Sequence, residues 1–214
     1  MEQVVHVGRA EIRLAYLLLQ GVAAATSGAR HVESGDARSI PRTMSTRVVI
    51  ETEAGEIHAR LEDGRAPGTV ANFLGYVDAG LYDGGRFHRV VRMDNQPHDD
   101  IRIEVIQGGV NLERMAENGD PIPLERTSVT GLRHLDGTIS MARFKPDSAV
   151  SDFFICIGDQ PDLDFGCMRN PDGQGFAAFG QVTQGMDVVR AIQAGLTDGQ
   201  TLILPARIVA IRRV

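Results

Sequence analysis

The chain has 214 residues, 22 Lys and Arg against 28 Asp and Glu for a net charge of −6, and 43% hydrophobic residues. That length favours one sizeable domain with some chain to spare, and the composition is that of neither a disordered nor a membrane-embedded protein. The acidic balance, with aromatics at only 5% and no Trp, argues against nucleic acid or an anionic membrane as partner.

Residues 1–43 read as an N-terminal extension. The apolar run from Leu14 to Ala25 is too short for a membrane span of about 20 residues. It suits a signal-peptide core, with Ser27-Gly28-Ala29 as a cleavage site, yet Glu2 and Glu11 offset Arg9 and Arg13 ahead of it. Arg30 to Thr43 is polar, contains Pro41 and reads as a linker. Signal peptide, linker and misplaced start before Met44 all stay open for this stretch, and 44–214 is the expected folded domain. The expected location is cytoplasmic, or periplasmic if residues 1–29 direct export.

From Arg47 the pattern is β, and 24 glycines supply the tight turns that such an architecture needs. Val48 to Thr52, a turn at Ala54-Gly55, and the alternating Ile57 to Leu61 predict a hairpin. Pro67 opens a helix whose apolar face is Val70, Phe73, Leu74, Val77 and Leu81, ending near Gly80. Phe87 to Val91 and Ile101 to Gln107 predict strands; alternation in the second puts Val105 and Gln107 on one face and Glu104 on the other. Arg92 to Asp100 between them reads as a solvated polar insertion. Further strands are expected at Gly137 to Ala142, Phe153 to Ile157, Phe176 to Gly180 and Leu202 to Arg213. A second helix is expected over Met186 to Ala194, with Gly195 as its C-cap. Many short strands, two helices and no βαβ rhythm predict an antiparallel barrel or sandwich.

The common catalytic constellations are missing. There is no G-x-S-x-G, P-loop or dinucleotide fingerprint. His98, Asp94, Asp99 and Asp100 have no helical ligand spacing, and Asp159, Asp162 and Asp164 do not complete an EF-hand loop. Cys156 and Cys167 cannot form a disulfide framework; Cys156, inside Phe-Phe-Ile-Cys-Ile, reads as a buried free thiol. Ser140 and Ser151 have no general base beside them in sequence. His88, alternating with Arg89, is expected on the opposite face of its strand.

One ordered series is specific. Phe87-His-Arg-Val-Val91, Ile106-Gln-Gly-Gly109, Gly137-Thr-Ile-Ser-Met-Ala142, Ser151-Asp-Phe-Phe-Ile-Cys156 and Phe179-Gly-Gln-Val-Thr-Gln-Gly-Met186 follow one another along the chain. The series resembles the cyclophilin family of peptidyl-prolyl cis-trans isomerases, its bacterial branch above all, from about Val48 to Arg213. The resemblance implies a closed eight-stranded antiparallel β-barrel capped by two helices, with a peptide groove on its outside. It implies a monomeric isomerase of X-Pro bonds that needs no cofactor or metal and takes proline-containing peptides and unfolded chains as partners. Carried over residue by residue, Arg89 and Gln107 match the catalytic arginine and the groove glutamine. Phe154 matches the floor of the proline pocket, Leu163 its wall, Ala142 the small residue that admits the substrate backbone, and Val105 an apolar position often held by Met. Phe176, Glu104 and Asp152 complete the substrate-binding set, each a departure: His, an aromatic and Gln are common there. Asp162 stands where many eukaryotic members have Trp. The departures at Asp162 and Phe176 keep open a second function, a proline-peptide-binding or chaperone module with weak or no turnover.

Overall fold

The computed structural model describes residues 45–214. The readings attached to the stretch 1–43 lie outside the described residues. Nine strands share one sheet: β1 (Arg47–Thr52), β2 (Gly55–Leu61), β3 (Arg86–Val91), β4 (Val105–Gly109), β5 (Thr138–Met141), β6 (Phe153–Cys156), β7 (Ala177–Gln184), β8 (Thr197–Asp198) and β9 (Thr201–Arg213). Their order is β1-β2-β7-β5-β6-β4-β3-β9-β8, and an antiparallel pairing of β1 with β9, from Val48↔Arg213 to Thr52↔Ile208, closes the circle. The two-residue β8 only arms a hairpin with β9. Eight strands therefore enclose the barrel, as expected.

Period-two alternation builds the interior. Val90, Ile106, Ile155 and Ile139 lie opposite one another across β3, β4, β6 and β5, and all are fully buried. The next row inward-facing residues include Phe87 and Phe153, separated in register by Gly108; a Cβ there would stand 2.8 Å from the Phe87 ring. Helix α1 (Pro67–Asp78) lies over β7 and β9 and buries Val70, Phe73, Leu74 and Val77, the face its spacing predicts. Its N-terminus has no local cap. The Glu125 carboxylate instead accepts from the Gly68 and Thr69 backbone N–H groups, where an anion is favoured by the free donors and the helix dipole. Helix α2 (Met186–Gln193) buries Val189 and Ile192 over β2, β3 and β4.

Strand β7 runs past Gly180 to Gln184, and two further boundaries differ from expectation. Ile101 to Glu104 is not strand, because the Gln96 side chain takes both Ile103 backbone groups: its Nε2 donates to Ile103 O at 2.8 Å and its Oε1 accepts from Ile103 N at 3.2 Å. Gln96 is only 1% exposed and pins the segment, while Met93, Asp94, Pro97, His98 and Asp100 stay exposed, so 92–100 is a solvated loop as expected, tied down at one buried side chain. Arg92 at its start donates to Gln193 O and Gly195 O, carbonyls left open at the end of α2. The C-cap of α2 is Ala194; Gly195 instead leaves room for Leu202, which a Cβ would approach to 2.6 Å. Among the described residues, no helix is long and apolar enough to cross a membrane.

Candidate active site

A second apolar cluster lies outside the barrel, formed by Val91, Ile103, Val105, Phe154, Cys156 and Leu163, with half-buried Ala142 and Phe176 packed on it. It follows from register. Arg89↔Gln107↔Phe154↔Ser140 form one row across β3, β4, β6 and β5, and Val91↔Val105↔Cys156 form the next. The structure thus brings Arg89, Gln107, Phe154, Ala142, Val105, Leu163 and Phe176 together on one face.

Simple alternation would not do this, since Phe87 inside the barrel would carry Arg89 inside too. The β3 ladder shifts register between Phe87 and Arg89, a bulge that leaves His88 as the extra residue. Phe87 and Val90 therefore face the core while Arg89 faces the groove. The expected placement of His88 is overturned for the same reason: it lies on the groove side, with Nε2 3.6 Å from Asp152 Oδ2.

Arg89 is held by two glutamine carbonyls. Its Nη1 donates to Gln107 Oε1 at 2.9 Å, and its Nε and Nη2 donate to Gln200 Oε1 at 3.0 and 2.5 Å. Burial pushes the guanidinium below the usual arginine value, and nearby Arg169 pushes the same way while Asp99 opposes both. Gln200 sits in the β8–β9 turn, whose Gly199 has φ +59°, and its amide N–H donates to Asn95 O at 3.3 Å. No sequence signal marks Gln200, which lies 111 positions from Arg89.

The outer cluster is fastened from behind. The Phe154 and Phe176 rings meet edge-to-face at 5.5 Å, and Phe176 N donates to Leu163 O. No sequence motif marks Arg143 either. Its side chain is fully buried, its guanidinium lies 4.9 Å over the Phe176 ring, and it donates to both Asp172 oxygens and to Gly175 O. That pairing holds the Asp172 carboxyl below the usual carboxylate range.

Both acidic residues of the expected substrate-binding set are engaged by glutamine amides. Glu104 lies just before β4, and Gln193 Nε2 of α2 donates to its Oε1 at 3.4 Å. Asp152 is at the groove but engaged, its Oδ2 accepting from Gln107 Nε2 at 3.0 Å. Ser140 does have a histidine beside it: His134 Nε2 is 3.0 Å from Ser140 Oγ and His134 Nδ1 is 2.7 Å from Asp164 Oδ1. Ser140 is fully buried, though, and the His134 ring stacks on Phe154 at 6.0 Å, so this trio backs the Phe154 ring from within the fold. Cys156 is a buried free thiol, its pKa pushed well up by desolvation.

The sequence matches the family described as cyclophilin type peptidyl-prolyl cis-trans isomerase/CLD over residues 47–213. It is 42% identical to the peptidyl-prolyl cis-trans isomerase cyp18 of Streptomyces antibioticus over 159 residues, 74% of this chain and 88% of that protein. It is 40% identical to peptidyl-prolyl cis-trans isomerase A of Dickeya dadantii, covering 73% and 75% of the two chains. A crystal structure of a Cryptosporidium parvum cyclophilin type peptidyl-prolyl cis-trans isomerase superposes with TM-score 0.64 at 22% identity, over 79% of this chain and 98% of that one. The same protein has been solved in the presence of the dipeptide Ala-Pro. Barrel closure, the ordered motifs and the match across nearly all of the barrel agree, and the chain belongs to the cyclophilin-type peptidyl-prolyl cis-trans isomerases.

Proposed function

We propose that the isomerisation runs on donation from Arg89 to the prolyl nitrogen, with the proline ring seated on Phe154. X-Pro rotation has no bond to break and no proton to move; its barrier, about 18–20 kcal/mol, is lost amide resonance. As the amide twists, the nitrogen turns pyramidal and gains a lone pair. A donor aimed at that lone pair stabilises the transition state more than the planar ground state, and only such a difference raises the rate. Arginine suits the task because it stays cationic and its planar fork can be held rigidly. Val105, Leu163 and Phe176 would complete the slot for the ring, and Ala142 would let the substrate backbone approach. Proline-containing peptides are the substrate class; Ala-Pro in the Cryptosporidium relative supports that choice.

The observation that carries this reading is the way Arg89 is tied. Three of its N–H groups engage two neutral carbonyls, so among the described residues its hydrogen bonds leave two of its five N–H groups for substrate. The test is turnover of an X-Pro peptide. Arg89→Ala is expected to lower kcat/KM about a hundredfold, or roughly 3 kcal/mol, the scale of losing one preorganised donor, at an unchanged melting temperature. A folded variant with full activity would overturn the mechanism. An inactive parent chain that still binds the peptide would favour a binding module.

A further inference from the structure

The Arg89 clamp depends on which way two glutamine amides point. If Gln107 were turned over, its N–H groups would face the N–H groups of Arg89, donor against donor. An ionised carboxylate can only accept. With Asp152 Oδ2 3.0 Å from Gln107 Nε2, the amide has one satisfactory orientation, which turns Oε1 towards Arg89 Nη1 at 2.9 Å. Gln200 is fixed by the same logic, since the Asn95 carbonyl, also acceptor-only, takes its N–H. A glutamine in place of Asp152 would offer both a donor and an acceptor, and Gln107 could then sit either way.

The carboxylate has a built place. A Cβ on Gly109 would stand 2.0 Å from Asp152 Oδ1, so only glycine at the end of β4 admits it. Asp152 is 12% exposed, and His88, carried outward by the β3 bulge, stands 3.6 Å from the same Oδ2 that Gln107 uses. The bulge therefore delivers two neighbours to one site: the arginine and a flank for the acid that orients its partner.

We infer that Asp152 is a positioning residue of the isomerase, acting on Arg89 through the Gln107 amide. It serves as an orientation lock and not as a rim charge that recruits cationic peptides. The inference rests on the Arg89 reading above, and its test is separable from that of Arg89→Ala. The full chain is assayed as Asp152→Asn, Gln107→Ala and the double variant, each on X-Pro peptides bearing Lys or Glu beside the proline. Asp152→Asn, nearly isosteric and able to present an N–H to Gln107, is expected to lower kcat/KM several-fold. The loss should fall mainly in kcat and equally for both peptides. On the Gln107→Ala background the same substitution should change kcat/KM less than twofold, because the element it acts through is gone. In amide NMR spectra the Gln107 side-chain NH2 pair should shift in Asp152→Asn, while the barrel's backbone signals stay in place.

A loss confined to the Lys peptide, with its effect in KM, would overturn the proposal in favour of a substrate-facing charge. So would an equal loss on both backgrounds, or wild-type kcat for Asp152→Asn. If Asp152→Asn does not fold, Asp152→Ser enters the same cycle with the same criteria. Full activity of Arg89→Ala would instead remove the reading underneath, whatever the cycle gives.

Discussion

Phe153 and Phe154 are neighbours on β6 with different duties. Phe153 points into the barrel, fully buried, and meets the edges or faces of Phe73, Tyr82 and Phe87 at centroid distances of 5.5 to 5.7 Å. Phe154 points outward onto a small cluster and is backed by polar groups: His134 beneath it, Phe176 with Arg143 beside it, and Arg89 and Gln107 along its row. The inner ring is surrounded by carbon and serves stability. The outer ring, 5% exposed, is held in its small cluster by neighbours that are themselves tied by hydrogen bonds. An apolar patch outside a completed core therefore marks a site when its surroundings are polar and fully partnered.

That contrast can be broken or sharpened by experiment. Phe153→Ala is expected to have the largest effect, a loss of about 3–5 kcal/mol of stability from the cavity it leaves. At this chain length that corresponds to roughly 6–20 °C in melting temperature. Phe154→Ala should reverse the pattern. It should cost kcat/KM on an X-Pro peptide by about thirtyfold, the value of losing roughly 2 kcal/mol of ring burial, while lowering the melting temperature far less. If both variants melted alike, the outer cluster would be core and not pocket. Gln200→Ala should come next: releasing Nε and Nη2 of Arg89 removes charge-assisted hydrogen bonds worth about 1.5 kcal/mol, or near tenfold in kcat, with the fold intact by circular dichroism.

The smallest effect concerns the outer wall and acid. The Asp172 carboxyl is held low by its hydrogen bonds with Arg143, so its hold on Arg143 is complete above the unfolded carboxyl value near 4 and is lost as pH falls through the lower folded value. Peptide KM should therefore not respond to Asp172 between pH 6 and 8. On acidification it should rise by about twofold, the scale of a partly exposed ion pair. Asp172→Asn should show the higher KM already at neutral pH.

Much of this molecule was legible in the sequence. Strict alternation in Ile57 to Leu61 and the i, i+3, i+4, i+7 spacing from Val70 to Val77 depend on local geometry alone, and both elements form where they were expected. The ordered motifs fall on strands, and register then sets Arg89, Gln107 and Phe154 in one row. What remained hidden were contacts between distant segments. Gln200 reaches Arg89 only once β9 is paired with β3, Gln96 replaces a partner strand for Ile103, and His134 lies beneath Phe154 only when the loop from Leu163 closes. Glu104 belongs with these, since its partner Gln193 of α2 lies 89 positions away.

By itself the sequence determined most of the strands and the two main helices, since backbone sterics and hydrophobic period act over a few residues, while the candidates for an X-Pro site came from the family resemblance. Only the tertiary structure decided which way those residues face. A single extra residue at His88 reverses the alternation of β3, so that Phe87 fills the core while Arg89 enters the groove. In the sequence the shift shows only as two successive polar residues, His88 and Arg89, between Phe87 and Val90, and pairing with β4 and β9 decides which of the two is the extra one. The orientation of Gln107 was decided in the same way, by a carboxylate 45 positions along the chain that can only accept.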